Sequence, residues 1–423
     1  MNSITANPNE ALKAKIQQQY RNHVNAGYAR LASMMNLQIE ASSAGVYIYD
    51  IDGNRYLDAG GYGVFLLGHG HPEVLAKVSE QLHSHAMASK LLLNPYQAAA
   101  AAALAEVCPP GLQYVYFCSS GTEATEAALK LACMNGCQAT LSTIGGYHGK
   151  TLGALAVTGR ATYREPFAGL LGNTHFLPFG DTQALEQQLA SLDCRACVIL
   201  EPIQAEAGVL IPPPGYLRRV RELCDDHDAV LILDEIQSGL GRTGYWWACE
   251  REGVVADIML VGKSLSGGCV PVSAMVATAR MQEPLNRNPL MHTTTFGANP
   301  LAMAAVQATL QVMQRDGLVQ KARALGELLR GRFEQLLEQN GWTKQVQLRC
   351  AGLLLGFEFV DASIAANMVM ALLDQRIIVC HSLNDHRVIR LTPPALYSET
   401  DVEWLLDGFA VALTSSLPTG TRP

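Results

Sequence analysis

From about residue 60 to residue 280, short apolar runs alternate with helix-forming stretches. Few folds accept such a pattern. Runs at 114–118, 139–143, 196–200, 229–233 and 258–261 are each about one strand long, and segments such as 121–135 and 215–226 read as helices between them. Parallel strands need long crossovers, and a helix is the usual one. The pattern therefore predicts an α/β fold, with a mainly parallel central sheet and helices on both faces.

The flanks read differently. Residues 16–35 read as helix. Runs 46–50 and 55–58 alternate around Asp52-Gly53, which predicts a hairpin. Segments 300–315 and 318–339 read as long helices. After them come strands at 346–349, 353–359, 377–379 and 388–391, and helices at 364–375 and 400–413. The expected division is a large unit over 61–325 and a smaller α+β unit over 326–423, which residues 1–60 join. A length of 423 residues suits more than one domain, and 49% hydrophobic with 16% charged residues suits large cores. The net charge of −7 offers no basic stripe for nucleic acid. No run approaches the roughly 18 apolar residues of a membrane span. The opening residues have no apolar stretch of a secretory leader, and eleven cysteines show no framework. The expectation is a cytoplasmic protein with free thiols, no membrane and no nucleic-acid partner.

Several motifs invite a reading. Gly239-Leu-Gly241-Arg-Thr-Gly244 spells GxGxxG, but no helix start follows it and no first strand leads to a ribose-binding acid, so the dinucleotide reading fails. The run ending in Asp234-Glu235 lacks the phosphate loop of a nucleotidase. Cys194-x-x-Cys197, Cys133-x-x-x-Cys137, His69-x-His71 and His83-x-His85 lack further ligands, so no metal is expected. Ser119-Ser120-Gly121-Thr122-Glu123 is more informative. It follows a strand and opens a helix, so it is an anion site or a plain helix cap. Asp234 closes an apolar run, where a charge is costly unless paired. Lys263 follows another, and Tyr147-His148-Gly149 follows a third. A phosphate cradle, a strand-end acid, a strand-end lysine and an aromatic plate are what pyridoxal 5'-phosphate requires.

With these residues in place, the chain resembles the class III, ω-amino-type aminotransferases of fold type I. The motifs are CSSGTEATEAALKLA, GGYHGKTLGALAVTG, ILEPIQAEAGVLIPPPGYL, LILDEIQSGLGRTG, GKSLSGGCVPVSA, HTTTFGANPLA and VIRLTPPAL, spread over about 37–413. The resemblance implies a pyridoxal-phosphate enzyme with Lys263 as its Schiff-base lysine and Asp234 on the ring nitrogen. Gln237 would bond the ring hydroxyl. Ser120, Gly121 and Thr122 would hold the phosphate, and Tyr147 would stack on the ring beside His148. Thr295 would reach the phosphate of the other subunit of a homodimer with shared sites. Glu201 and Glu206 would stand near the cofactor and the substrate, and Arg390 would grip a substrate α-carboxylate. The family usually carries Asn at the positions of Ser119 and Thr125, GEGG where this chain has Ala205-Glu206-Ala207-Gly208, and Gly at the position of Ala298.

Within the family the chain is most similar to the putrescine (diamine) subgroup, through His148-Gly149-Lys150, PPPGYL, HTTTFG and the Gly61–His69 spacing. Acetylornithine-type enzymes carry Arg where Lys150 stands. The expected reaction is ping-pong transfer of a terminal amino group from a small-molecule amine to a 2-oxo acid such as pyruvate or 2-oxoglutarate. Tyr62, Val64, Phe65, Leu66 and Leu67 are candidates for an apolar mouth. With no carboxylate bound, Glu206 would mask Arg390. An ornithine or acetylornithine donor, an aldehyde or ketone intermediate as acceptor, and other outcomes on the same cofactor stay open.

Overall fold

A computed structural model describes residues 8–416. Residues 1–7 and 417–423, the ends of the expected N-terminal segment and C-terminal unit, lie outside the described residues. Strands β1 (Glu40–Ala44), β2 (Tyr47–Asp50) and β3 (Arg55–Asp58) form an antiparallel ribbon, with the expected hairpin between β2 and β3. Seven strands follow: β4 (Leu112–Cys118), β5 (Ala139–Thr143), β6 (His175–Leu177), β7 (Ala196–Leu200), β8 (Val230–Asp234), β9 (Ile258–Val261) and β10 (Ser273–Thr278). They make one sheet in the order β4-β10-β9-β8-β7-β5-β6. Only β10 runs antiparallel to its neighbours, so the sheet is mainly parallel and the α/β expectation holds.

The central strands are buried on both faces, which is why they read as unbroken apolar runs. Their side chains alternate between two cores. In β7 and β8, Val198, Leu200, Leu231 and Leu233 pack into one. Cys197, Ile199, Val230 and Ile232 pack into the other. The period of two thus appears in the packing, although not in the hydropathy.

Helix starts follow local chemistry. The side chains of Asn94 and Asn299 cap Pro95–Val107 and Pro300–Arg315, each with proline at the first helical position. The helix expected over 16–35 is broken. Asn25 turns extended at φ −161° and caps a second helix, Ala26–Met34, by accepting from the Tyr28 amide.

The C-terminal part holds β11 (Val346–Ala351), β12 (Leu354–Phe359), β13 (Ile377–Ile378), β14 (Cys380–His381) and β15 (Val388–Leu391). Four of these form the sheet β11-β12-β15-β14. The single strand expected at 377–379 is two, because the chain changes sheets there: β13 pairs parallel with β3, and β14 pairs with β15. Among the described residues, no helix is long and apolar enough to cross a membrane.

Candidate active site

The parallel strands β4, β5, β7, β8 and β9 all end on one side of the sheet, and crevices form where such ends meet. A cavity of about 390 Å³ opens there. It is lined by Gly121 and Thr122 after β4, by Tyr147, His148 and Lys150 after β5, and by Glu201 and Glu206 after β7. Asp234 at the end of β8, Gln237 just beyond it and Lys263 after β9 complete the set. Ten residues singled out across some 140 positions of sequence thus share one cavity.

Asp234 is buried and uses both oxygens. One lies 2.7 Å from His148 Nδ1, and the other accepts the Ile236 amide at 3.0 Å. His148 is therefore the orienting partner of the acid. Burial works against a charged His148, but the hydrogen bond and charge of Asp234 prevail and raise its pKa. Lys263 is pushed down to about 8 by burial, against the pull of Glu206. Burial pushes Glu201 up to about 8; its carboxyl accepts the Tyr147 amide at 2.9 Å and fixes the loop that carries that ring.

Glu206 Oε1 lies 2.5 Å from Arg390 Nη1, and both side chains are buried. The contact is a charge pair whose angles leave Arg390 Nη1 and Nε without an aligned hydrogen bond. Burial would raise the Glu206 carboxyl, but the charges of Arg390 and Lys263 outweigh it and hold it below its ordinary range. Arg390 therefore stands behind Glu206 and does not line the cavity itself.

Ser120, Thr295 and Lys150 differ in their surroundings. Ser120 caps the helix Gly121–Met134, its hydroxyl accepting from the Glu123 amide at 3.4 Å, while Glu123 accepts the Ser119 amide at 2.7 Å. Its oxygen thus caps the helix, whose first residues, Gly121 and Thr122, line the cavity. Thr295 is exposed and lies outside the cavity. Lys150 is exposed, with its ammonium 4.3 Å from the centre of the Tyr163 ring. The apolar mouth needs correction. Leu66 and Leu67 are buried in the core, and Phe65 stacks on His69 at 3.8 Å. Tyr62 is exposed and feels the fields of Cys380, Arg390 and Glu206.

Gly149, Ala205 and Ile236 also line the cavity. Gly149 lies at φ +123°, and a Cβ there would come within 2.4 Å of the Thr122 hydroxyl. A Cβ on Gly121 would meet Ile236 at 2.9 Å. Among the described residues, the Gln237 amide has no hydrogen-bond partner at either end, although it is buried. Thr125 donates to the His148 carbonyl at 2.9 Å, so its hydroxyl ties the helix to the Tyr147 loop. Ala298 takes the left-handed φ of +57°, which explains why glycine is the usual residue there.

Comparison with known proteins agrees with this geometry. Residues 28–413 match the family model described as aminotransferase class-III. The ornithine aminotransferase of Toxoplasma gondii, crystallised with partial occupancy of pyridoxal phosphate at its active site, shares 28% identity at a TM-score of 0.85. That match covers 97% of this chain and 98% of the other. A thermostable (S)-enantioselective omega-transaminase of Thermomicrobium roseum shares 27% at 0.87, covering 98% and 100%. The acetylornithine aminotransferase of Elizabethkingia anophelis shares 28% at 0.78, covering 92% and 98%.

Proposed function

This chain belongs to the class-III aminotransferases, which use pyridoxal 5'-phosphate, and from that premise we propose that it moves the terminal amino group of an ω-amine to a 2-oxo acid. The cavity suits the cofactor. The close-packed glycines at 121 and 149 leave backbone amides at a helix start for a phosphate. The orphaned Gln237 amide faces a group that must bring both a donor and an acceptor. Pyridoxal phosphate supplies an aldehyde that condenses with amines and a protonated ring that takes up the electrons released when a C–H bond breaks.

The chain's own residues do the rest. Asp234, oriented by His148, holds a proton on the ring nitrogen. Lys263, whose pKa of about 8 makes it neutral at modest cost, would be the amine that condenses with the aldehyde, with loss of water, and the base that moves the substrate proton. Gly121 and Thr122 would hold the phosphate, and Tyr147, whose loop Glu201 fixes, would stack on the ring. Residues 61–325 are the cofactor-binding unit. The pairing of β3 with β13 supports grouping residues 1–60 with 326–423.

The Glu206–Arg390 pair carries the substrate reading. An amine without a nearby carboxylate enters while Glu206 covers the guanidinium, so no bare charge faces its methylenes. A 2-oxo acid displaces Glu206 and takes the bidentate grip of Arg390. Lys150, turned onto Tyr163, offers no such fork for a second carboxylate. The test is a panel of diamines, ornithine and acetylornithine with pyruvate and 2-oxoglutarate. Putrescine-like amines are expected to give the highest kcat/KM. A second reading, an ornithine or acetylornithine donor, is favoured by the two similar structures that carry those names. A preference for either amino acid in the panel would establish it and overturn the first.

A further inference from the structure

The GxGxxG segment that binds no dinucleotide holds a fully buried arginine. Arg242 is 1% exposed, and its acceptors are all backbone carbonyls. Nη1 donates to Pro393 O at 2.6 Å and to Leu353 O at 3.3 Å, and Nη2 donates to Gly63 O at 3.3 Å. Nε has no partner. A buried charge with no acid in direct contact is expensive. A segment that keeps one is using its geometry: three donors in a fixed fork reach three separate stretches of chain.

Two of those stretches, at Gly63 and Pro393, adjoin residues of the site. Gly63 belongs to the loop 60–66, where Tyr62 takes φ +50° and stands exposed near Glu206 and Arg390. Pro393 lies three residues beyond Arg390 on the same segment. Gly63 O also accepts from Ser264, the residue after Lys263, at 3.0 Å. The loop's other ties come from the same neighbours. Thr392 accepts the Gly63 amide at 3.1 Å and donates to Gly60 O at 2.6 Å. Asp58, bonded to His69, accepts the amides of Gly60 and Gly61 at 2.9 Å each. The underside of Gly63 rests on the Gln237 amide, where a Cβ would lie only 2.3 Å away.

We propose that Arg242 is a positioning residue, which locks the loop 60–66 against the Arg390 segment and the Lys263 turn and so sets the shape of the substrate mouth. The inference rests on the reading of this cavity as the amine site. It adds that loop placement, and with it substrate affinity, depends on a guanidinium that touches neither substrate nor cofactor. Lysine cannot replace it, because a single ammonium does not span the three carbonyls.

Hydrogen–deuterium exchange on the cofactor-loaded enzyme, with steady-state kinetics, tests this on Arg242→Lys and Ser264→Ala. In Arg242→Lys, peptides covering 60–66 are expected to exchange about tenfold faster, while β7 and β8 stay protected as in wild type. KM for amine and for 2-oxo acid should rise about tenfold, with a smaller change in kcat. Ser264→Ala removes the other donor to Gly63 O and should show the same pattern at lower amplitude; it carries the test alone if the lysine variant does not fold. Unchanged exchange at 60–66, exchange that rises equally in β7 and β8, or a fall in kcat at unchanged KM would overturn the proposal. A wild-type enzyme that transaminates none of the panel amines would instead remove the substrate reading, and the exchange result would still stand or fall separately.

Discussion

Lys263 concentrates the site's chemistry in one side chain. It is half-buried, follows a strand end, and sits at a left-handed φ of +49° that bulky residues rarely adopt. Burial favours the neutral amine, and the acids around the cavity only partly oppose it, so its pKa falls from 10.5 to about 8. The neutral amine is the nucleophile, so reactivity should rise as pH climbs through about 8, well before surface lysines respond. In cofactor-free protein, the rate of acylation at Lys263, followed by peptide mass spectrometry, should show that midpoint; a midpoint near 10.5 would contradict it. At this scale much was legible. Asp234 and Lys263 stand out because a charge that ends an apolar run must have a reason. Their partners do not stand out. His148 meets Asp234 across 86 residues of sequence, and only the fold sets that distance. Ser120 marks the limit of reading types: the same hydroxyl suits a phosphate or a helix amide, and here it accepts the Glu123 amide while its own hydrogen can still be donated to a phosphate.

At the level of elements, the parallel strands were legible and β10 was not. Strands buried on both faces must be apolar throughout, so β7, β8 and β9 declare themselves. The sequence of β10, Ser-Ala-Met-Val-Ala-Thr, is short, small and flanked by similar residues, and its antiparallel setting between β4 and β9 is a tertiary fact. The break between β13 and β14 is of the same kind, since a change of partner leaves no mark on hydropathy. The element that matters most for binding is the start of the helix Gly121–Met134, which the Tyr147 loop covers. Gly149 makes that cover possible. Its φ of +123° suits glycine, and any Cβ would press into Thr122. Gly149→Ala should therefore fold yet bind pyridoxal phosphate at least about tenfold more weakly, a loss of about 1.4 kcal/mol. Titration of cofactor-free protein, read by quenching of tryptophan fluorescence, would measure it. Unchanged affinity would mean that the loop and the helix start do not together form the cradle.

At the scale of the whole molecule, a single chain leaves a broad apolar surface uncovered. Leu91, Leu92 and Leu93 are 92%, 80% and 101% exposed, and Leu290, Met291 and Phe296 are 80%, 61% and 61% exposed. The two segments form one face: Lys90 donates to Thr294 O, Asn94 donates to Ala298 O at 3.0 Å, and the Leu301 amide donates to Ala86 O. A cavity of about 500 Å³ lies between them. So much contiguous apolar surface is unusual on a chain that works alone. Thr295 stands on this face, outside the cavity that holds Lys263. A second copy packed on the face by a two-fold axis would bury the leucines and carry each Thr295 toward the other copy's phosphate cradle. The chain should therefore sediment as a dimer, and its sites should be shared. Lys263→Ala and Thr295→Ala proteins, each impaired alone, should recover activity when unfolded together and refolded. Random pairing makes half the dimers mixed, and each mixed dimer has one site with both residues intact, so about a quarter of wild-type activity should return. A fully active monomer would refute the shared site, and so would a mixture no more active than its two parents.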